Sequence, residues 1–393
     1  MHIGIDASRA FLKRRTGIEE YAYQTIKHLS EVIPHSDTVT LYVRRKITWQ
    51  EGRIVFVLPE IGFPLPSNFR MKGMWAPRFW TQIRLSLEML MFAPDVLFVP
   101  AHTIPLIHPR RTVVTIHGLE YEFCKESYSL LDRLYMRLSI RFSCAVAEKI
   151  ICVSENTKKD VKKLYHAKAS KMHVIYEGYE TNFQFLISNF QSISNNKISN
   201  SEIKKFNIES KFKIQNSKFI LFIGRLEERK NVIRIIEAFE ILKKEYRIPH
   251  TLVLAGKPGY GYEKIKEKRM GSKQKEAIRE LGYITEEEKW DLLRNADVFL
   301  FPSLYEGFGI PVLEAQSVGV PVVMSGISSL PEVGGKGAIY VDPMQSEALA
   351  QGVYTLLSER EVRDDIIAEG TKNVHLFSWE KCAKEIYQVL SVS

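Results

Sequence analysis

The chain has 393 residues, of which 45% are hydrophobic and 26% are charged, and its net charge is +9. That apolar content excludes an intrinsically disordered chain, and the length exceeds one ordinary hydrophobic core, so we expect two domains. The basic balance allows nucleic acid, anionic lipid or phosphorylated small molecules as partners. Because the sequence contains no zinc-finger or aromatic RNA-binding motif, nucleic acid is not expected.

The cysteines and the apolar stretches bear on the compartment. The four cysteines lack CxxC spacing and a histidine pattern, so we expect reduced thiols and no metal site. The first residues have the pattern of a strand and lack the apolar region of a secretory leader. Charged residues and a proline interrupt the apolar stretch 85–100, so we do not expect it to span a membrane. We expect a cytoplasmic protein. Basic residues cluster at 13–15, 44–46 and 110–111 and in the helix-like run 128–148, and they form either a solvated surface or a peripheral contact with an anionic membrane.

Strands and helices alternate along the first 184 residues. The segment 16–29 has apolar residues at the i, i+3, i+4 spacing of a helix. Strands are predicted at 2–6, 39–43, 54–58, 96–99, 112–116, 149–153 and 173–175. Such alternation indicates βαβ units and a parallel sheet.

The amino-acid composition changes at 185–217. This segment is rich in Ser, Asn, Ile and Lys and is predicted to be a linker or an insertion. The alternation then restarts, with strands at 218–223, 251–255, 298–301 and 321–324 and helices at 232–246, 285–295 and 310–318. The predicted fold is therefore α/β, with two Rossmann-like doubly wound domains, 1–184 and 218–372, that face a cleft. The last segment, 373–393, is expected to place its helix back on the first domain.

Candidate binding residues follow the predicted strands. Gly17 begins the first helix, where a backbone without a Cβ can approach a diphosphate, although a plain turn glycine is the alternative. Arg225 and Lys230 follow the first strand of the second domain and suit a diphosphate, or else belong to a charged surface loop. His117 lies beyond the strand 112–116, which favours a functional role over a structural one. No G-x-G-x-x-G joins a strand to a helix, which argues against a nicotinamide dehydrogenase.

The segment 296–323 joins a buried strand to a helix through a glycine-containing turn. Glu306 lies in that turn and Glu314 lies early in the helix, which has Pro311 in its first turn, where the missing N–H costs nothing. In α/β folds this crevice binds ligands, and amides at a helix N-terminus favour phosphate. Glu237 and Glu245 have the same spacing, so spacing alone does not indicate a binding site. The position of Glu306 and Glu314 between a strand end and a helix start does.

Several segments resemble the family-four retaining glycosyltransferases, which use nucleotide sugars and have the GT-B fold. In order, these are FIGRLEERKN, FPSLYEGFGIPVLEAQSVGVPVV, SSLPEVGGKGAIYVDP and FSWEKCAKEIY. TGIEEY, TIHGL and VSENTKKDV resemble the same family less closely. The resemblance implies a retaining hexosyltransferase with a nucleotide-sugar donor as substrate and with neither metal nor other cofactor.

The resemblance also implies residue roles. It places Arg225, Lys230 and, from the other domain, Gly17 on the donor diphosphate. Glu314 would accept hydrogen bonds from the ribose, and Glu306 would contact the donor sugar. Three backbone amides would bind sugar and phosphate, those of Phe308, Gly309 and Ile310.

His117 would lie near the reacting face of the sugar and act with Glu306 as a catalytic residue. Two features depart from the family. Gly118 stands where an aspartate often follows the histidine, and IYEGYE at 175–180 stands where IPNGVD is usual. The first departure affects the orientation of His117. The second affects the contacts that this segment would make with the donor.

SSLPEVGGKGAIYVDP and GKPGYGYE resemble mannosyltransferases of cell-surface polysaccharide and lipopolysaccharide assembly. GDP-mannose is therefore the first expectation for the donor, with UDP-glucose and UDP-N-acetylglucosamine as alternatives. A growing glycan or lipid-linked acceptor would meet the first domain, near Arg110, Arg111, Trp75 and Trp80. Two alternative hypotheses for the function are a nucleotide-sugar epimerase with the same fold and a non-catalytic sugar-binding subunit.

Overall fold

The computed structural model describes residues 1–12, 15–50, 53–75, 80–179, 212 and 218–392. The chain divides into two compact units. The first comprises Met1–Glu122, Tyr128–Gly178 and Phe377–Ser393, and the second comprises Phe123–Ser127 and Tyr179–Leu376. Apart from Phe212, the predicted linker 185–217 lies outside the described residues. No helix in the described part of the chain is both long and apolar enough to cross a membrane.

Among the described residues, the first unit is built on a parallel sheet of seven strands in the order β5-β2-β1-β6-β7-β8-β9. The strands of this half of the chain are β1 (His2–Asp6), β2 (Thr38–Arg44), β3 (Lys46–Gln50), β4 (Arg53–Val57), β5 (Phe69–Met74), β6 (Val96–Val99), β7 (Thr112–Ile116), β8 (Lys149–Cys152) and β9 (Met172–Val174). The central β1 pairs in parallel with both β2 and β6, so that Ile3 lies beside Val39 and Val96. This arrangement confirms the expected parallel sheet.

The strand predicted at 54–58 exists as β4, but its pairing differs from the expectation. It forms an antiparallel hairpin with β3, outside the main sheet. The position beside β2 is taken by β5 instead. Its sequence, FRMKGM, is buried only at its two ends, so it lacks the apolar run by which the other strands were recognised.

The helices before residue 180 are α1 (Gly17–Val32), α2 (Ser86–Phe92), α3 (Glu120–Phe123), α4 (Leu130–Val146) and α5 (Glu155–Tyr165), with a π-helical turn at Trp80–Leu85. Helix α1 begins where the backbone N–H of Thr16 donates to Oε2 of Glu19 at 3.2 Å, which satisfies an amide at the helix start. Tyr21, Ile26 and Leu29 are fully buried, as the helical spacing predicts.

The second unit has its own parallel sheet, which in the described chain has six strands in the order β12-β11-β10-β13-β14-β15. The strands are β10 (Phe219–Ile223), β11 (Thr251–Ala255), β12 (Ile278–Gly282), β13 (Val298–Phe301), β14 (Val322–Ser325) and β15 (Ala338–Val341). The helices are α6 (Val232–Lys244), α7 (Tyr262–Gly271), α8 (Glu286–Asn295), α9 (Ile310–Ser317), α10 (Leu330–Gly334), α11 (Ser346–Ser358) and α12 (Arg360–Val374). The two strands that the sequence did not reveal, β12 and β15, are the edge strands and are mostly half-buried.

The final helix, α13 (Trp379–Ser391), belongs to the first unit and packs along α1. The rings of Tyr21 and Trp379 meet edge to face with centroids 5.9 Å apart. The hydroxyl of Tyr387 donates to Oδ2 of Asp37 at 2.8 Å. A Cβ on Gly178 would lie 2.2 Å from the backbone nitrogen of Trp379, so only glycine permits this approach. The expected return of the C-terminal helix to the first domain is confirmed.

Candidate functional site

The loops that follow β10 and β13 bring four charged residues together, Glu306, Lys230, Arg229 and Glu227, which we call the Glu306 cluster. Lys230 Nζ forms a close ion pair with Oε1 of Glu306, and Arg229 Nη1 donates to Oε2 of Glu306 at 3.1 Å. Arg229 also donates to the carbonyl oxygen of Tyr305 and to Oε1 of Glu227, both at 2.8 Å. Each carboxylate oxygen of Glu306 therefore has its own cation.

The surroundings of Glu306 keep it ionised although it is buried. Burial by itself would raise the pKa of this carboxyl, but Lys230 and Arg229 outweigh burial and lower the pKa to about 2. Burial is also the main influence on Lys230, whose pKa it lowers, while the attraction of Glu306 opposes that effect. Removing one member of such a buried pair leaves an uncompensated charge, at a cost of about 3–5 kcal/mol.

Two serines fix the backbone around Glu306. The N–H of Glu306 donates to Oγ of Ser328 at 3.0 Å. The hydroxyl of Ser329 donates to the carbonyl oxygens of Glu306 and Phe308, at 2.9 and 2.7 Å. Neither serine was singled out from the sequence, because their contact with the 306–308 turn depends on the pairing of β13 with β14.

Helix α9 starts at Ile310, with Pro311 in its first turn, as the sequence predicts. Gly309 precedes it with φ of 128°, a conformation that L side chains rarely adopt, and a Cβ there would lie 2.8 Å from Cδ2 of Leu330. Phe308, Gly309 and Ile310 therefore stand at the amino end of α9, where helix amides point along the axis towards a ligand. Their binding role stays a prediction.

Glu314 lies on α9 and is 8% exposed. Lys289, on α8, places Nζ 2.6 Å from Oε1 of Glu314 and 2.6 Å from Oε2 of Glu286. Burial works against the charge of Lys289, but the two carboxylates outweigh it and raise the pKa of its ammonium group. This lysine was not predicted from the sequence, since it stands in the run EEEK, which is typical of a solvated helix start.

Arg225 and Lys230 were predicted as a pair, but they occupy different surroundings. The Arg225 side chain is 64% exposed and lies 3.9 Å from Oε2 of Glu227. Lys230 lies in the Glu306 cluster with its side chain 11% exposed, together with Arg229, which was not predicted from the sequence. No local sequence pattern marks Arg229, because its partner Glu306 is 77 residues away.

Gly17 is the first residue of α1, and no described residue lies within 4 Å of the position that a Cβ would take. Packing among the described residues therefore does not require glycine here.

His117 directly follows β7 and is 7% exposed. Its Nε2 lies 3.0 Å from the carbonyl oxygen of Pro100, and its Nδ1 lies 3.2 Å from Oε1 of Glu177. Glu177 is part of the IYEGYE segment, so the two departures from the family pattern meet at one contact.

The four residues expected near an acceptor differ in exposure. Trp75 is 50% exposed and Arg110 is exposed. Nη2 of Arg111 donates to the carbonyl oxygen of Leu390 at 2.8 Å. The expectation for Trp80 is wrong, because this side chain is 1% exposed and its indole N–H donates to Oδ1 of Asp6 at 3.1 Å.

Comparisons with known proteins extend over both units. A family model described as glycosyl transferases group 1 matches residues 203–373, and one described as Glycosyltransferase Family 4 matches residues 15–183. O-antigen chain mannosyltransferase B from Escherichia coli is 30% identical over 276 residues, which cover 70% of this chain and 68% of that protein. O-antigen chain mannosyltransferase RfbU from Salmonella typhimurium is 23% identical and covers 84% of both chains.

Solved structures agree on the fold. WaaG, a glycosyltransferase involved in lipopolysaccharide biosynthesis, aligns with a TM-score of 0.70 at 15% identity, over the full length of both chains. Anabaena Alr3699/HepE in complex with UDP-glucose aligns with a TM-score of 0.68 at 15% identity, over 99% of both chains. The chain therefore belongs to the glycosyl transferases of group 1 and is a glycosyltransferase of the GT-B fold.

Proposed function

We propose that this glycosyltransferase moves a hexose from a nucleotide sugar, first of all mannose from GDP-mannose, to a growing glycan or lipid-linked acceptor in cell-surface polysaccharide synthesis. The Glu306 cluster carries the proposal, because it holds an ionised carboxylate and two cations beyond the ends of parallel strands. The names of relatives support it. Besides the two O-antigen mannosyltransferases, these include the capsular polysaccharide biosynthesis glycosyltransferase CapM from Staphylococcus aureus, which is 27% identical over 278 residues.

The cations have a clear task in such a transfer. The departing diphosphate gains negative charge, which Arg225, Lys230 and the amides at the start of α9 would stabilise. An ammonium group has three N–H donors, so Lys230 can bind Glu306 and still donate to a phosphate oxygen. Removing one such donor typically costs about 2.7–4 kcal/mol in the transition state. Because these groups supply the positive charge, we propose that no metal or other cofactor takes part.

The carboxylates serve the sugar and the ribose. Glu306 accepts from two cations in this structure, and an ionised carboxylate has about four acceptor sites, so it can also accept from a sugar hydroxyl. Its negative charge favours the oxocarbenium-like sugar that forms as the bond to phosphate breaks. Glu314 would accept from the ribose hydroxyls, Gly17 would lie against the diphosphate, and His117 would lie near the reacting face of the sugar.

The proposed stereochemistry is retention. The bond from the anomeric carbon to the phosphate oxygen breaks, the acceptor oxygen bonds to the same face, and the departing phosphate takes the acceptor's proton. Analysis of the product by NMR tests this proposal, with the donor's anomeric configuration preserved as the expected result. An inverted product would overturn it.

The donor base is tested by a thermal-shift panel of GDP, UDP, ADP and their sugars. A ligand at 100 times its dissociation constant stabilises the folded state by about 2.7 kcal/mol, so a selective shift identifies the base. We expect GDP and GDP-mannose to act most strongly. A selective shift with UDP-glucose would favour the second candidate, to which the complex of Anabaena HepE with UDP-glucose points.

Two further outcomes concern the reaction class. An epimerised nucleotide sugar without glycan product would mean an epimerase. Binding without transfer or hydrolysis of any donor would mean a sugar-binding subunit. Either result would overturn the proposed function.

We further propose that the protein works at the cytoplasmic face of a membrane and contacts anionic lipid through α4. Leu130 and Leu131 are each 79% exposed and Leu138 is 59% exposed. The same helix carries three arginines, Arg133, Arg137 and Arg141. Apolar side chains that insert among lipid headgroups act together with basic residues worth about 1 kcal/mol each near an anionic surface.

Flotation with anionic vesicles tests this contact. The intact protein should float with anionic vesicles at moderate salt, and a double variant, Leu130→Ser with Leu131→Ser, should float much less. Leu376→Ser is the matched control, because that leucine is 59% exposed on the second unit. If the intact protein does not float, the membrane contact is refuted and the transfer reaction is unaffected.

A further inference from the structure

Glu177 is a buried carboxylate with a histidine as its partner. It is 5% exposed, and Oε1 lies 3.2 Å from Nδ1 of His117. Among the described residues, His117 is the only basic side chain that forms an ion pair with it. Two other titratable groups interact with it, Tyr21 and Cys382, and both are uncharged when protonated. Burial raises the pKa values of the Tyr21 hydroxyl and the Cys382 thiol, and Glu177 raises both further.

The second nitrogen of the His117 ring fixes where one proton sits. Nε2 lies 3.0 Å from the carbonyl oxygen of Pro100, and a carbonyl oxygen can only accept a hydrogen bond. Nε2 therefore carries a hydrogen. In a neutral ring Nδ1 would then present a lone pair to the Glu177 carboxylate, and two acceptors do not bond. A second proton must lie between Nδ1 and Oε1, so that His117 and Glu177 together are neutral.

The neighbouring rings leave that second proton with this pair. The backbone N–H of His117 donates to Nδ1 of His102 at 3.4 Å, so the His102 Nδ1 is unprotonated. Burial, helped by His117 and Arg9, lowers the pKa of His102 well below its usual value, so its ring is neutral. The ring of Tyr21 meets His117 edge to face with centroids 4.5 Å apart and limits its rotation.

We propose that Glu177 is the positioning residue of His117, holding its ring in one orientation through a shared proton. Gly118 has no side chain that could do this from the neighbouring position. The pairing also means that His117 and Glu177 together add no net positive charge to the surroundings of the sugar. Such a charge would oppose a sugar that is itself becoming positive, so the effect on turnover rests on the proposed transfer reaction, whereas the proton arrangement rests on the contacts alone.

Nitrogen NMR of the protein labelled with ¹⁵N-histidine tests the shared proton without any activity. The His117 signals are assigned by comparison with a His117→Asn variant. In the intact protein, Nε2 should be protonated and Nδ1 should show a protonated or strongly hydrogen-bonded shift. In Glu177→Gln, Nε2 should be unchanged and Nδ1 should move to the shift of an unprotonated nitrogen. An unchanged Nδ1 signal would overturn the proposal.

Kinetics separate positioning from folding. Glu177→Gln should lower kcat by roughly 10- to 100-fold, the effect of a misplaced group, with little change in the donor KM. Glu177→Asp should restore part of the loss, and Glu385→Gln is the control, since Glu385 also lies near Cys382. If the intact protein transfers sugar and Glu177→Gln does so equally well, this inference fails and the proposed function stands. If the intact protein transfers nothing, the proposed function fails and the NMR result still decides on the pair.

Discussion

Nζ of Lys289 lies 2.6 Å from Oε1 of Glu314, and this part-buried ion pair joins the start of α8 to α9. The ammonium group neutralises Glu314 and holds one of its oxygens. Because the ion pair fixes the orientation of the carboxylate, it also fixes the position of the second oxygen of Glu314. If Glu314 binds the ribose, Lys289 sets its position before the donor arrives.

Lys289→Met should therefore weaken donor binding. The variant keeps most of the side-chain length but leaves the Glu314 carboxylate without its cation. We expect the donor KM and the Kd for the free nucleotide to rise about tenfold, equivalent to 1.4 kcal/mol, with little change in kcat. Isothermal titration calorimetry with GDP measures the effect.

Lys384→Met is the control for that experiment. Lys384 pairs with Glu380 on the surface, where its side chain is 58% exposed, so donor binding should not change. Equal nucleotide affinity in the intact protein and Lys289→Met would contradict the role of Lys289. The melting temperature of each variant separates lost binding from lost folding.

The depressed pKa of Glu306 predicts how stability depends on pH. Its pKa is about 2 when folded against an ordinary 4.5, so its contribution is complete above pH 4.5 and is lost as pH falls towards 2. The size of this contribution is of the order of 3 kcal/mol. Urea unfolding of the intact protein and Glu306→Gln between pH 6 and 3 measures it.

The gap in unfolding free energy between these two proteins should narrow as the pH falls. Taking the difference cancels the other carboxylates, such as Glu122, whose pKa is also lowered, chiefly by its hydrogen bond with Arg137. A gap that stays constant to pH 3 would show that the ion pairs of Glu306 do not hold its charge in solution.

Gly17 provides a test of ligand approach that is separate from folding. In the described part of the chain no atom lies within 4 Å of the position of a Cβ, so Gly17→Ala should leave the melting temperature unchanged. If a diphosphate approaches the backbone there, the donor KM should rise severalfold. Gly271→Ala, at the end of α7 and equally open, is the control. Unchanged donor kinetics in Gly17→Ala would identify a plain turn glycine.

Much of the fold follows from local sequence, and the exceptions have physical causes. Helix α1 and the strand β13 were predicted because their apolar residues repeat at the spacing of one buried face or form a continuous run. The edge strands β5, β12 and β15 were not, since half-buried strands carry mixed residues whose pattern resembles that of loops.

The candidate site was predictable to a similar extent. Motif residues such as Lys230 and Glu306 could be found because they follow strand ends. Arg229 and Lys289 could not, because a charged side chain turns inwards only where another element, distant in sequence, supplies its partner. The buried position of Trp80 likewise depends on Asp6, 74 residues away.

The most direct test of the account is transfer by the purified protein from GDP-mannose to a glycan primer, followed by NMR of the product. The intact protein should form a mannoside with the donor's anomeric configuration. Lys230→Ala should lower kcat by about 10²–10³-fold while Lys384→Ala, a surface control, does not. No product from any nucleotide sugar, or Lys230→Ala as active as the intact protein, would contradict the central claim.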